Sequence, residues 1–209
     1  MNGEEIVVVI PNCMIEKVLT GLVLCGGKST RMESDKGLLS NGEKTWAEIA
    51  VEKIKTFANH YFISINEGQL STYAHHFSRE LLIMDNNPIP GPARGLVSAH
   101  VQQQHSDFLT IACDMLLVEE ELLSLLLDQY KLNTGYDAYI FRHLSGEFEP
   151  LLGIYTSTGL AKIKEQFEAG KLEKYSMKYL LERLKVAAIP IPNNLINQFT
   201  NYNYPNQWH

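Results

Sequence analysis

One segment of the chain combines residue types that suit a polyphosphate: residues 21–39, with the sequence GLVLCGGKSTRMESDKGLL. Glycine has no Cβ, so the pair Gly26-Gly27 lets backbone N–H groups approach phosphate oxygens closely. Three cations follow within nine residues, and together they can neutralise a polyphosphate: Lys28, Arg31 and Lys36. The segment therefore predicts a phosphate-binding loop.

Two familiar phosphate-binding motifs do not fit this segment. A Walker A loop needs four residues between its first glycine and GKS, whereas Gly21 lies one residue too far away. A GxGxxG dinucleotide motif fails because position 30 is Thr30. The glycine pair alone would fit a plain strand-to-helix turn, but Arg31 and the Asp35-Lys36 pair at this spacing favour a binding loop.

The elements that position this loop are predicted by apolar runs of strand length, which alternate with segments of helical period. Such an order is typical of repeated βα units and a mostly parallel sheet. After Gly135 the pattern changes to two strands around a loop at Ser145 and Gly146. The predicted strands are Val18–Leu24, 61–65, 81–84, 108–113, 137–142, 149–155 and 186–191, and the predicted helices are 46–58, 69–77, 94–104, 118–130, 157–169 and 175–184.

This order predicts an α/β fold, a single three-layer α/β domain with a mostly parallel, Rossmann-like sheet. Residues 1–17 form a predicted N-terminal extension, and residues 18–209 form the domain. The change of pattern near residue 135 has no low-complexity linker, so we interpret it as a change of role within one domain. Thr45 is the predicted N-cap of the first helix.

Polar residues follow the first four predicted strands. In open parallel sheets, ligands bind beyond the carboxyl ends of the strands, where the loops converge. A glycine pair, an amide and two carboxylates at these ends form a coherent nucleotide site, and the residues are Cys25-Gly26-Gly27, Asn66, Asp85 and Asp114. A helix N-cap is the alternative role for Asp114.

Four motifs together resemble the molybdenum cofactor guanylyltransferases. They are LxGGxSxRMxxDKxLL in the loop, GPARG at residues 91–95 after Asp85, CDM at residues 113–115, and FTNYNYP at residues 199–205. The first motif is shared by many nucleotidyltransferases, and the later ones narrow the resemblance. The chain departs from the usual pattern at Cys25, where Ala is usual, and at Glu33, where Gly is usual.

The resemblance implies transfer of GMP from GTP to the terminal phosphate of molybdopterin in molybdenum cofactor, with release of pyrophosphate. Mg²⁺ prefers hard oxygens and typically uses one or two carboxylates plus substrate phosphates, so Asp114 is the expected metal ligand. The resemblance assigns catalysis to Lys36, Arg31 and Asp114, and nucleotide binding to Leu24, Cys25, Gly26, Gly27, Lys36, Asn66, Asp85 and Asp114.

The acceptor side is expected in the second half of the domain. The resemblance divides the domain into a nucleotide-binding half, residues 18–134, and an acceptor-binding half, residues 135–209, in which Asn201 and Asn203 contact the pterin. An Asn-rich turn that bonds its own backbone is the alternative role for these two residues. The implied partners are GTP, molybdenum cofactor and, transiently, cofactor-biosynthesis proteins or molybdoenzymes.

The composition limits the remaining classes of function. With 209 residues, of which 45% are hydrophobic, the chain has the length and composition of one ordinary domain. Its formal net charge of −6 argues against binding to nucleic acid or to an anionic membrane. The three cysteines lack CxxC spacing, which predicts free thiols and a cytoplasmic protein. The alternatives are a cytidylyltransferase or sugar-phosphate nucleotidyltransferase, and a nucleotide-binding partner of a molybdoenzyme without turnover.

Overall fold

The computed structural model of the protein describes residues 18–26, 35–40 and 42–202. Several predictions fall outside these ranges and remain predictions. They concern the N-terminal extension at 1–17, and the residues Gly27, Lys28, Arg31 and Asn203.

A seven-stranded sheet forms the centre of the described part of the chain. Its strands are β1 Val18–Leu24, β2 His60–Ile65, β3 Leu82–Met84, β4 Ser106–Ala112, β5 Ala138–Arg142, β6 Phe148–Tyr155 and β7 Val186–Pro190. In space their order is β3-β2-β1-β4-β6-β5-β7. Strand β6 is antiparallel to both of its neighbours, and the other pairs are parallel. The mostly parallel α/β sheet is therefore confirmed.

Helices cover both faces of the sheet and make the fold three-layered. They are α1 Trp46–Lys55, α2 Leu70–Tyr73, α3 Ala93–Gln102, α4 Glu120–Leu132, α5 Ser157–Glu168 and α6 Met177–Leu181. One apolar core packs α1 and α4 on the first face, and a second core packs α3, α5 and α6 on the other face. Within the described ranges, no helix is long and apolar enough to cross a bilayer.

The start of α1 shows how local chemistry sets an element boundary. The Thr45 hydroxyl accepts a hydrogen bond from the Glu48 backbone N–H, and the Glu48 carboxylate accepts one from the Thr45 backbone N–H. This capping box satisfies two N–H groups that have no partner inside the helix. The predicted N-cap at Thr45 is confirmed.

Two predicted helices are shorter than expected. The segment predicted at 69–77 is a 3₁₀ turn at Glu67–Gln69 followed by a single α-helical turn at Leu70–Tyr73, because tertiary contacts of Gln69 and Tyr73 fix this segment instead. The segment predicted at 175–184 is helical only over Met177–Leu181. Its N-cap is Ser176, whose side chain accepts from the Tyr179 N–H and starts the helix there.

The antiparallel strand β6 brings its first residues to the same edge as the carboxyl ends of β1 and β4. Thr110 of β4 faces Gly153 of β6. Glu149, near the start of β6, and Asp114, just after β4, lie close enough for their charges to interact. The loops that follow β1, β2, β3, β4 and β5 therefore share one edge of the sheet with the start of β6.

Candidate active site

An ion pair occupies the centre of this edge. Lys36, in a short 3₁₀ turn after the glycine loop, places its Nζ 3.1 Å from Oδ2 of Asp114, just beyond β4. The two side chains are 26% and 17% exposed, so both can be reached by a ligand. Sequence positions that are 78 residues apart thus meet at the edge where the strand-end rule predicts a ligand.

The alternative role of Asp114 as a helix N-cap is wrong. Helix α4 begins at Glu120, and its N-cap is Glu119. The Asp114 carboxylate contacts Lys36, and the Asp114 backbone carbonyl accepts a hydrogen bond from the Tyr202 N–H at 3.1 Å. The carboxylate is therefore not needed to begin a helix.

Three side chains hold the turn that carries Lys36, and two of them, Gln69 and Tyr73, lie outside the sequence motifs. Asp35 Oδ1 accepts from the Gly37 N–H at 3.0 Å and from the Tyr73 hydroxyl at 3.1 Å. Asp35 Oδ2 accepts from Gln69 Nε2 at 2.5 Å. Gln69 is buried and also donates to the Cys25 carbonyl oxygen at 3.1 Å. The Asp35–Gln69–Tyr73 cluster therefore fixes the backbone on both sides of Lys36.

Asp85 directly follows β3, and its side chain lies against Gly26, which follows the end of β1. A Cβ at Gly26 would stand 2.0 Å from Asp85 Oδ2, so only glycine allows this approach. Ser64 donates its hydroxyl hydrogen to Asp85 Oδ1 at 2.6 Å, and the Asp85 N–H donates to the Ile65 carbonyl at 2.7 Å. Two predicted nucleotide-binding positions, Gly26 and Asp85, are thus in direct proximity.

The pKa of Asp85 is perturbed by its environment. Burial raises it to about 6, although the hydrogen bond from Ser64 and the positive charge of Arg94 both lower it. Arg94 is partly buried, and its Nε donates to the Ile89 carbonyl at 2.8 Å. This contact holds the guanidinium close enough to Asp85 for the two charges to interact.

We expect Asp85→Asn to stabilise the fold above pH 6 and to leave its stability nearly unchanged near pH 4. The folded-state pKa, about 6, lies above the usual 3.8, so the folded protein binds this proton more tightly than the unfolded chain. The contribution of the protonated Asp85 carboxyl to the free energy of unfolding is therefore present at low pH, and it is lost as the pH rises through 6. At pH 8 the Asn variant should gain up to about 3 kcal/mol.

Urea unfolding of both proteins between pH 4 and pH 8 measures this difference. Ser64→Ala supplies a second variant, because it removes the hydrogen bond that lowers the pKa of Asp85 and should move the loss of stability to higher pH. A difference between wild type and Asp85→Asn that stays constant over the whole range would contradict the raised pKa.

Asn66 and Asn201 have different surroundings. Asn66 directly follows β2, and its backbone N–H donates to Gln69 Oε1 at 2.7 Å, which links it to the cluster that holds Lys36. Asn201 is exposed, and it precedes Tyr202, whose N–H bonds to the Asp114 carbonyl. The described end of the tail therefore passes beside Asp114 and carries Asn201 to the same edge.

The loop after Asp114 is held from two sides. Lys53 of α1 donates its ammonium hydrogens to the carbonyl oxygens of Leu116, at 2.7 Å, and Val118. Burial lowers the pKa of Lys53. Gln198 lies in the 3₁₀ segment Asn193–Phe199, which precedes the C-terminal tail that begins at Thr200. Its side-chain oxygen accepts a hydrogen bond from the Glu119 N–H at 2.8 Å. These contacts were not predicted, because they join parts of the chain that no sequence motif connects.

Cys25 and Cys113 directly follow the neighbouring strands β1 and β4 and are buried free thiols, as predicted. Their side chains meet: a hydrogen bond with Cys25 and burial raise the pKa of Cys113 well above its usual value. A raised pKa keeps the thiol protonated and weakly nucleophilic. Cys113 therefore supplies no nucleophile, and both thiols are buried beside the site.

The geometry can be compared with known families at this point. The family of MobA-like NTP transferase domains matches residues 21–187, which is most of the chain and includes the edge with Lys36, Asp85 and Asp114. The chain belongs to this family. As a MobA-like NTP transferase, the protein is a nucleotidyltransferase with the single α/β domain predicted from its sequence.

Relatives and a solved structure extend the comparison. A molybdenum cofactor guanylyltransferase of Shewanella sp. (strain MR-4) is 30% identical over 191 residues, which cover 90% of this chain and 92% of the relative. A probable molybdenum cofactor guanylyltransferase of Flavobacterium johnsoniae is 29% identical over 157 residues, 75% of this chain and 78% of the relative. The crystal structure of molybdopterin-guanine dinucleotide biosynthesis protein A from Archaeoglobus fulgidus superposes with a TM-score of 0.71 at 25% identity, covering 90% and 93% of the two chains.

The donor set of this MobA-like transferase fits a hard divalent cation that is shared with substrate. Asp114 offers accessible carboxylate oxygens at the edge of the sheet. Within the described ranges, no three His, Cys, Asp or Glu side chains form a group that could enclose a metal by themselves. Mg²⁺ usually keeps waters and binds one or two carboxylates together with substrate phosphates, so one carboxylate is sufficient here.

Proposed function

We propose that the protein transfers GMP from GTP to the terminal phosphate of molybdopterin in molybdenum cofactor and releases pyrophosphate. The observation that carries the proposal is the Lys36–Asp114 ion pair at the carboxyl edge, beside the glycine loop and the tail. Support also comes from the relatives named above, one a molybdenum cofactor guanylyltransferase and the other a probable one.

In this reaction an oxygen of the acceptor phosphate attacks the α-phosphorus of GTP. The bond from that phosphorus to the oxygen bridging to the β-phosphate breaks, and pyrophosphate leaves with the electron pair. The reacting groups are all anions, so the protein must mainly neutralise charge and align the two phosphates. A nucleophilic side chain is not required.

Asp114 would hold Mg²⁺ together with phosphate oxygens of the nucleotide. When bound, the ion reduces repulsion between the anions and polarises the reacting phosphoryl group. Lys36, which contacts Asp114 at 3.1 Å, then donates to phosphate oxygens and stabilises the charge of the leaving pyrophosphate. Arg31 is assigned the same kind of role by the sequence motif.

Asp85 is the proposed base contact on the nucleotide side. A carboxylate can accept hydrogen bonds from N1–H and N2–H of guanine, whereas adenine does not present these two donors. The partly buried position of Asp85 over Gly26 suits such a contact, and Asn66 lies at the end of the neighbouring strand. In this assignment residues 18–134 bind the nucleotide, and residues 135–209, with Asn201 and Asn203, bind the acceptor.

The test is an assay with each of the four NTPs, Mg²⁺ and molybdenum cofactor, with pyrophosphate release as the readout. We expect release with GTP only, and only when Mg²⁺ and the acceptor are present. Release with CTP instead would assign a cytidylyltransferase. Binding of a nucleotide without release in any combination would rule out both enzymes and favour a binding protein. A parallel assay with sugar phosphates as acceptors tests the remaining alternative.

A further inference from the structure

A second pair of titratable side chains lies at the same edge, on the other side of Asp114 from the glycine loop. His143 follows β5, and Glu149 lies at the start of β6. His143 Nε2 is 3.6 Å from Glu149 Oε2, and the side chains are 28% and 15% exposed. The sequence motifs do not include either residue, and the chemistry assigned so far does not use them.

The charge of the Glu149 carboxylate interacts with both His143 and Asp114. Burial raises the pKa of Glu149, His143 lowers it by a hydrogen bond and by its charge, and the negative charge of Asp114 raises it further. Two carboxylates held near each other in a partly buried position cost free energy unless cations or donors face them. Lys36 faces Asp114, and His143 faces Glu149.

The ring of His143 is also held by packing. Its centroid lies 5.7 Å from that of Phe199, with the two rings at 69°. Phe199 in turn packs edge-on against Phe141 at 5.3 Å. The chain continues from Phe199 to Tyr202, whose N–H bonds to the Asp114 carbonyl. One packed segment therefore connects the imidazole to the backbone of Asp114.

The sheet order determines which substrate the imidazole faces. The strands β1, β2 and β3, with Gly26, Asn66 and Asp85, lie on one side of β4, and the strands β6 and β5 lie on the other. Nucleotide contacts are proposed on the first side. A side chain on the β5 and β6 side of Asp114 therefore faces the substrate that approaches from the side opposite the nucleotide. That substrate is the acceptor, which presents its phosphate there.

We propose that His143 donates a hydrogen bond to the phosphate monoester of the acceptor and that Glu149 is the positioning residue that orients its ring. This inference rests on the proposed function and adds to it a residue that binds the acceptor. Glu149 Oε2 faces Nε2, so Nδ1 is the atom assigned to the phosphate. In this arrangement the ring is an imidazolium, whose two N–H groups donate to two anions, the Glu149 carboxylate and the phosphate. Among the described residues Nδ1 has no hydrogen-bond partner, and the partial exposure of the ring makes it accessible.

Steady-state kinetics with GTP and molybdenum cofactor separate this role from a structural one. We expect His143→Ala to raise the KM for the acceptor by about 10- to 100-fold, the range for a hydrogen bond to a charged group, and to leave the KM for GTP unchanged. His143→Arg should restore much of the acceptor affinity, because it supplies donors to phosphate. Glu147→Gln, in the same hairpin but exposed, is the matched control and should change neither constant.

The role of Glu149 is tested by a double-mutant cycle. Glu149→Gln should raise the KM for the acceptor, and adding it to His143→Ala should cause no further rise, because Glu149 acts through the ring. A further rise, or a weaker dependence of the rate on Mg²⁺ in Glu149→Gln, would overturn the positioning role and assign Glu149 to the cation. An unchanged acceptor KM in His143→Ala would overturn the role of His143 while the proposed function stands.

A binding measurement keeps this inference separate from turnover. Glycerol 3-phosphate serves as a phosphate monoester probe, and the ring signals of His143 are followed by nitrogen NMR in wild type and in Glu149→Gln. Saturable perturbation at His143, weaker in Glu149→Gln and absent at the exposed His105, supports the site even if every pyrophosphate assay fails. No perturbation at His143, or equal perturbation at His105, would overturn it.

Discussion

Asp114→Asn is expected to abolish pyrophosphate release and to leave the fold intact. The Asn side chain has the same shape but offers Mg²⁺ a neutral oxygen in place of a carboxylate, and a hard cation binds that oxygen much less strongly. Loss of several kcal/mol of charge stabilisation corresponds to a decrease in rate of at least about 100-fold. The measured quantity is kcat with saturating GTP and acceptor at several Mg²⁺ concentrations.

The structure explains why this variant should fold. The tail is attached to the Asp114 backbone carbonyl, through the Tyr202 N–H, and does not depend on the carboxylate. An amide oxygen can still accept from Lys36. Asp128→Asn, on the exposed face of α4, is the matched control and should retain full activity. An Asp114→Asn protein with normal turnover and normal dependence on Mg²⁺ would disprove the assignment of the metal ligand.

Lys36→Met is expected to lower kcat by about 100-fold or more, the scale seen when one donor to a developing charge is removed. The Met side chain has similar length but cannot donate to phosphate oxygens. The variant also leaves Asp114 without the ammonium that faces it at 3.1 Å. Single-turnover measurements with GTP and acceptor isolate the chemical step, and thermal unfolding reports whether the fold is retained.

Lys44 provides the comparison for Lys36. It pairs with a carboxylate at 2.7 Å in a similar way, but its partner Glu52 and the lysine itself are about half exposed. We expect Lys44→Met to leave kcat unchanged, because an ion pair between two half-exposed side chains contributes little free energy. Equal losses in Lys36→Met and Lys44→Met would indicate a general effect of surface charge and would remove Lys36 from the mechanism.

The sequence predicted the sheet and the edge of the site because both depend on local patterns. Apolar runs of strand length mark β1 and β4, and the residues just beyond them follow a general rule for parallel sheets. That rule placed Gly26, Asp85 and Asp114 at one edge without knowledge of tertiary contacts. The structure brings Asp85 to Gly26 and Lys36 to Asp114.

The parts that were not predicted depend on contacts between distant residues. Gln69 bonds to Cys25 and Asp35, and no spacing in the sequence reveals a glutamine with that role. The position of β6 between β4 and β5 is equally hidden, because periodicity identifies a strand but not its neighbours. For this reason the sequence alone does not predict Glu149 and His143 as site residues.

The hairpin between β5 and β6 can change length with little effect on the core. After β2 and β3, by contrast, the chain runs into turns and helices packed on the sheet, so an insertion there would displace core residues. At the hairpin tip, Leu144 is 87% exposed and Gly146 has open space around it. Each doubling of an exposed loop costs only about 0.6 kcal/mol. If the hairpin binds the acceptor as proposed, acceptor preference can diverge in evolution, or be engineered, through this hairpin while the proposed nucleotide chemistry at Asp114 stays constant.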